Sequence, residues 1–345
     1  MPDHNKNRPN LKRTLLVVVG CCLGFLFFYL AFRDISWNDL KNGISRMQPF
    51  YLLPASLLVV ICQFIRALRF KVILSPFCRL GIKALWDLTN IWAAANMILP
   101  ARLAELVRPY LLQRRGAPFS SSFGAVMVER FFDLSGLLLL LAVVLWKTPQ
   151  LPTIYTLMGE VLLAILIVSY LLVLLILARR EMVLAVVDKV LAIFPKRAAA
   201  FMAGIFKRLI EGFGIMASFS QVVIIAAYSI MLWIFFSGLT YLFLLAFAIE
   251  APFLVAVTIQ VLLALGVALP SAPGFIGTFH VVGRYALALF SVNAVVAVSF
   301  ATVYHLFGLV TSLLLGLVSY ATSNFRFDHA MFEASPSPEQ HIEPG

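Results

Sequence analysis

Two short charged strings inside a hydrophobic sequence hold the side chains best suited to chemistry. Arg102, Glu105 and Arg108 recur every third residue in the string PARLAELVRP over 100–109. On a helix that spacing forms one slowly drifting stripe, and Glu105 can bridge to either arginine. The guanidinium fork donates several hydrogen bonds in one plane, which suits a phosphate. The same stripe would also serve as a cytoplasmic anchor, with its arginines on lipid headgroups. Glu129, Arg130 and Asp133 follow inside the next apolar stretch. Glu129 and Asp133 are four apart and share a helix face. Ionisable groups at membrane depth are costly, so this pair must avoid lipid and meet arginines such as Arg66, Arg69, Arg102 or Arg108. A structural ion-pair network and a direct role in a site both fit. The pair is a weak metal motif with no histidine nearby, and no metal or cofactor is assigned.

A third string, PSAPGFIGTFH over 270–280, combines helix breaks with a histidine. Pro270 and Pro273 stop one helix, and Gly274 and Gly277 let the backbone turn. A helix beginning near Phe275 offers free N–H groups to an anion. His280 and Arg284 share a face. His280, and His305 further on, fit either a proton or headgroup contact or a hydrogen-bonded core histidine.

The composition says which elements must position these groups. Of 345 residues, 62% are hydrophobic and only 12% charged. A soluble domain carries about 25% charged residues, so the chain reads as an all-α polytopic membrane protein. The net charge of +11 fits cytoplasmic loops better than nucleic acid, for which no binding motif is present. The four cysteines form no C-x-x-C pair and read as small buried hydrophobes. Clear spans cover 14–32, 51–68, 123–146, 157–178, 222–249 and 294–320. With the broken segments added, the sequence predicts about six to eight transmembrane helices. The first span is longer than a secretory h-region and reads as a retained helix.

Basic residues orient the spans. Lys6, Arg8, Lys12 and Arg13 put the N-terminus in the cytoplasm. The short segment 84–99 has Arg79 and Lys83 before it and Arg102, Arg108, Arg114 and Arg115 after it, so it enters and leaves on the cytoplasmic side as a re-entrant hairpin. Segment 253–290 enters from the opposite side and turns at 270–274, as a second broken hairpin or as two full spans joined tightly. Paired Gly/Pro-interrupted segments in two halves point to a transporter site at the midplane. Residues 181–215 read as an amphipathic helix on the inner leaflet. The expected organisation is a cytoplasmic N-terminus over 1–13, one transmembrane domain over 14–325, and a disordered cytoplasmic tail over 326–345.

The ordered set P-A-R-x-x-E-x-x-R-P, V-E-R-x-x-D and P-S-x-P-G-x-x-G-T resembles the lysylphosphatidylglycerol synthase transmembrane-region family over about residues 10–325. That family includes the N-terminal flippase part of the multiple peptide resistance factor and stand-alone proteins linked to hopanoid or glycolipid handling. The resemblance implies a bacterial inner-membrane protein that moves lipids between leaflets. The soluble aminoacyl-transferase domain of the synthase proper is missing. Ala104 stands where family members typically have glycine. Phe275 and His280 stand where many have glycine and glutamate.

The expected function is a flippase for an anionic or glycosylated lipid, polyprenyl or phospholipid. Its substrate contacts would come from Arg66, Arg102, Glu105, Arg108, Glu129, Arg130, Asp133, Pro273, Gly274, Gly277 and His280. No Walker motif is present, so uphill transport would need an ion gradient. The alternatives are an intramembrane lipid-modifying enzyme using Glu129, Asp133 or His280, and a non-catalytic subunit supporting a glycosyltransferase. The expected partners are membrane lipids and such a transferase.

Overall fold

A computed structural model describes residues 11–99, 103–147, 153–195, scattered positions over 199–210, and 218–268, 272–323 and 325. Lys6, Arg8, Arg102, Pro270, most of 196–217 and the tail over 326–345 lie outside the described residues.

The described chain is helical, without a strand. Its helices are α1 (Leu11–Phe32), α2 (Trp37–Ser45), α3 (Leu52–Leu74), α4 (Ile82–Ile98), α5 (Val107–Gln113), α6 (Phe119–Lys147), α7 (Thr153–Ala178), α8 (Arg180–Leu191), α9 (Phe219–Ala246), α10 (Phe253–Ala268), α11 (Thr278–Ala288) and α12 (Ala294–Thr322). Local chemistry sets several boundaries. Ser36 and Asp39 form a capping box at the start of α2, and the Asn293 side chain accepts from the Val295 N–H at the start of α12. Helices α9 and α12 are long and apolar enough to cross a membrane by length and composition. Leu306, Val310, Leu314 and Leu317 form an exposed apolar stripe along α12. A soluble surface would not leave such a stripe uncovered, whereas hydrocarbon covers it.

The bundle has two ends. At one, Lys83 donates to Thr322 (3.3 Å), Gln221 to Ser75 (3.5 Å), and Arg115 stacks on Phe325. At the other, the Gln48 N–H donates to the Ala246 carbonyl, and Phe247, Val255, Leu287 and Ala297 share one apolar cluster. Lys83 and Arg115 lie at the same end, so the chain enters there through α4 and returns through α5. Helices α10 and α11 enter and return at the opposite end. With 17, 16 and 11 residues in α4, α10 and α11, the rise of 1.5 Å per residue makes them about 25, 24 and 16 Å long, short of a ~30 Å hydrocarbon core.

The two hairpin tips meet. His305 Nε2 lies 2.6 Å from the Gly274 carbonyl oxygen. His305 is about 17 Å along α12, so the α10–α11 turn lies at mid-height rather than at the bundle's far end. A Cβ on Gly274 would approach the Met97 carbonyl to 3.0 Å, at the end of α4. Gly274 and Gly277 have φ of +66° and +88°, and a Cβ on Gly277 would collide with the Gly24 carbonyl of α1. Only glycine meets both demands. Arg284 then ties α11 to α1 by donating to the Leu30 and Ala31 carbonyls and to Asp34. That hydrogen bond holds the Asp34 carboxyl below its ordinary range.

Two expectations change. The second span does not stop at 68: α3 runs to Leu74 and carries Arg66 and Arg69 in its body. Arg69 is compensated by acids on α6, which removes the cost that would have ended the span. Arg102, Glu105 and Arg108 do not share one described helix. Glu105 lies in a 3-10 turn, Leu103–Leu106, and Arg108 begins α5.

Candidate functional site

Helix α6 presents its two acids toward α3, and the four-residue spacing lets both reach one arginine. Arg69 Nη2 donates to Glu129 Oε1 (2.7 Å), and Arg69 Nη1 donates to Asp133 Oδ1 (2.6 Å) and Ser229 Oγ (2.8 Å). Arg108 donates to the other Glu129 oxygen. Arg130 reaches Asp133 Oδ2 at 3.2 Å, and Glu105 and Glu129 at 3.7 Å each. Arg69, Arg108 and Glu129 are fully buried. Burying such charges is tolerable because each meets an opposite charge in good geometry.

Trp92 of α4 holds the arginines from the side. The Arg108 guanidinium lies 4.0 Å from its ring centroid, Arg130 5.1 Å and Arg66 5.5 Å. An aromatic face attracts cations, which partly offsets the unpartnered Nε and Nη2 of Arg108. Glu105 pairs with Arg130 rather than bridging to Arg108, because Arg108 is already taken by Glu129.

Arg66 is the odd member. It donates to Gln63 (3.1 Å) and lies 4.9 Å from the Phe236 ring, and it meets no carboxylate among the described residues. Gln63 in turn donates to Asn90, and Asn90 to Ser319, so the chain of bonds links α3, α4 and α12. Among the described residues, Arg66, Arg69, Arg108 and Arg130 face Glu105, Glu129 and Asp133, a formal excess of one positive charge.

This excess borders a cavity of about 380 Å³ between the charged cluster and the hairpin tips. Arg66, Arg130 and Asp133 line one wall. Asn96, Gln260, Phe275 and His305 line the other. The volume is within the usual ligand-pocket range of about 300–1,000 Å³. Trp233 of α9 closes one side: its indole donates to the Asp133 carbonyl (3.0 Å) and rests on Gly136, where a Cβ would collide with the ring. An apolar groove of about 420 Å³ lies on the outer side of α4 and α12. Asn96 and Met97 face the cavity and Ile98 and Leu99 the groove; Leu309 and Leu313, one turn apart on α12, divide the same way.

The expected site residues therefore separate into layers. Arg66, Arg130 and Asp133 reach the cavity. Glu105, Arg108 and Glu129 stand behind them. Pro273, Gly274 and Gly277 shape the turn whose Phe275 and Phe279 reach the cavity. His280 lies behind His305, packed against Phe28 and Phe32. Arg102 is outside the described residues. The sequence reading passed over Trp92, Asn96 and Gln260. The signal available for Gln260 was a lone amide in the run FLVAVTIQVLLALGVA. Among the described residues, no group of three or more His, Cys, Asp and Glu gathers as a metal site.

Comparison with known proteins gives two results. A 132-residue stretch is 29% identical to Glycosyltransferase AglD of Haloferax volcanii, covering 37% of this chain and 21% of that protein. The chain therefore spans about a fifth of that relative's length. The family model for the lysylphosphatidylglycerol synthase TM region matches residues 17–316, nearly the whole helical bundle and all of the residues that line the cavity. The chain belongs to the lysylphosphatidylglycerol synthase transmembrane-region family.

Proposed function

We propose that this protein moves an anionic or glycosylated lipid between the leaflets of a membrane. The observation that carries the reading is the guanidinium-bordered cavity at mid-height, between the tips of two hairpins that enter from opposite ends. The headgroup occupies the cavity, with its phosphate on Arg66 and Arg130, while the hydrocarbon chains stay in lipid along the apolar groove. The hairpin tips act as the two gates, and rocking of one hairpin against the other exposes the cavity to each side in turn. The Met97 carbonyl and Gly274, whose own carbonyl is tied to His305, form the contact that must open.

Residues 14–325 act as one domain in this reading. Arg79, Lys83, Arg115, Arg179 and Arg180 cluster at the end where α3 and α7 finish, which supports a cytoplasmic face there with both termini on it. The family's transmembrane character supports an integral membrane location, and a bacterial-type inner membrane remains part of the proposal. Translocation would be downhill or coupled to an ion gradient. Purified protein in liposomes should speed dithionite bleaching of inner-leaflet NBD-phosphatidylglycerol over protein-free vesicles. Equal rates would refute the reading.

The partial match to a glycosyltransferase favours a second reading, a membrane module that presents a lipid to a transferase. It predicts lipid binding without translocation, and a transferase that co-purifies with the chain.

A further inference from the structure

The two walls of the cavity carry different chemistry, and together they constrain the headgroup. On the cluster side, both Asp133 oxygens are engaged, by Arg69 at 2.6 Å and Arg130 at 3.2 Å. Both Glu129 oxygens are engaged by Arg69 and Arg108. Asp133, the one carboxylate that lines the cavity among the described residues, therefore has no oxygen left for an incoming cation, whereas the Arg66 guanidinium has no carboxylate of its own among them. Of the aromatic rings at the cavity, Phe236 already carries Arg66 at 4.9 Å, and behind that wall Trp92 carries Arg108 at 4.0 Å.

The opposite wall is neutral and sets three polar side chains among apolar ones. Gln260 Oε1 accepts from Thr240 (2.8 Å) and Tyr304 (3.3 Å), which leaves its Nε2 to donate. His305 gives its Nε2 proton to the Gly274 carbonyl, so its Nδ1 is an acceptor in the neutral ring. Asn96 adds a carboxamide with one acceptor and two donors. Interspersed donors and acceptors match hydroxyl groups, each of which both donates and accepts.

We infer that the cavity selects a lipid whose headgroup is a phosphate bearing a neutral polyol, a glycerol or a sugar, and rejects headgroups that end in a cation. The inference rests on the lipid-transport reading and deepens it. It also separates this chain from the lysylated lipid in its family's name. Arg66 and Arg130 hold the phosphate, and Gln260, Asn96 and His305 hold the hydroxyls. An amino-terminated headgroup would place a positive charge beside an excess positive charge with no cavity-lining acid free to receive it, at a cost that low-dielectric surroundings raise.

The test uses the full chain in detergent and in liposomes with four probes: phosphatidylglycerol, phosphatidylinositol, lysylphosphatidylglycerol and phosphatidylcholine. The first two should raise the melting temperature by about 5 °C at a hundredfold excess over Kd, and both should be translocated. The last two should do neither. Gln260→Leu should lower the shift given by phosphatidylinositol more than that given by phosphatidylglycerol, whose polyol is smaller. Equal shifts and rates for the lysylated and inositol lipids would overturn the inference and leave the transport reading standing. No shift and no translocation with any probe would overturn both.

Discussion

Removing the charge of Glu129 should destabilise the protein more than any other single change in the cluster. Glu129 is fully buried and accepts from Arg69 at 2.7 Å and from Arg108, with Arg130 3.7 Å away. Glu129→Gln keeps the shape and one acceptor oxygen. It also replaces the second oxygen with an NH₂ group facing a guanidinium, a donor against a donor. The cluster's formal excess rises from one positive charge to two. Breaking a buried pair by neutralising one partner costs about 3–5 kcal/mol. At about 2 °C per kcal/mol for a chain of this size, the melting temperature should fall by about 6–10 °C. Arg108→Met combined with Glu129→Gln returns the excess to one and should recover part of that loss. The assay is thermal unfolding in detergent of the parent, both single variants and the double variant. An unchanged melting temperature for Glu129→Gln would refute the pairing argument, and so would a double variant whose loss equals the sum of the singles.

Further tests address separate parts of the account. Cysteines at Arg79 and Arg114, on a cysteine-free background, should be labelled by an impermeant thiol reagent from the same side of the membrane, and one at Asp34 from the other; labelling of Arg79 and Arg114 positions from opposite sides would break the α4–α5 hairpin assignment. Gly136→Ala should displace Trp233 and cost about 1–3 kcal/mol, measured as a lower melting temperature, and unchanged melting would mean that the indole does not rest on α6. Phe275 has φ of +61°, a left-handed conformation that costs a bulky residue about 1–2 kcal/mol. Phe275→Gly should therefore leave melting nearly unchanged while lowering translocation, because relieved strain offsets lost packing; a large fall in melting temperature would make the ring a core residue instead of a cavity wall.

What the sequence made legible followed from local rules. Two prolines and two glycines clustered over 270–277 predict a helix break, and α10 ends at Ala268 and α11 begins at Thr278. The four-residue spacing of Glu129 and Asp133 puts both on one helix face, and both meet Arg69. Residues whose placement depends on partners far along the chain were harder to read. Arg66 and Arg69 looked like the cytoplasmic end of a span, since an arginine pair is costly in hydrocarbon. Acids some sixty positions later compensate Arg69, Gln63 and two aromatic rings hold Arg66, and no local pattern announces either arrangement. Arg108 and Glu105 looked like one stripe, but the chain enters a 3-10 turn between the hairpin tip and α5, and the two side chains find different partners. Gln260, Asn96 and Trp92 lie in apolar helices, and only the meeting of α4, α10 and α12 makes a wall of the two amides, as only the approach of three arginines gives Trp92 its role.

Arg66 separates a lipid site from a structural network. It lines the cavity, meets no carboxylate among the described residues, and its removal brings the cluster's formal charge to zero. Arg66→Gln should therefore melt at or above the parent's temperature while losing most translocation of phosphatidylglycerol in proteoliposomes. Arg66→Lys, which keeps the charge without the planar fork, should fall between them. The most direct measurement is the initial translocation rate of these three proteins at matched reconstitution. The account predicts the order parent, Lys variant, Gln variant. Equal rates for the parent and the Gln variant would contradict it.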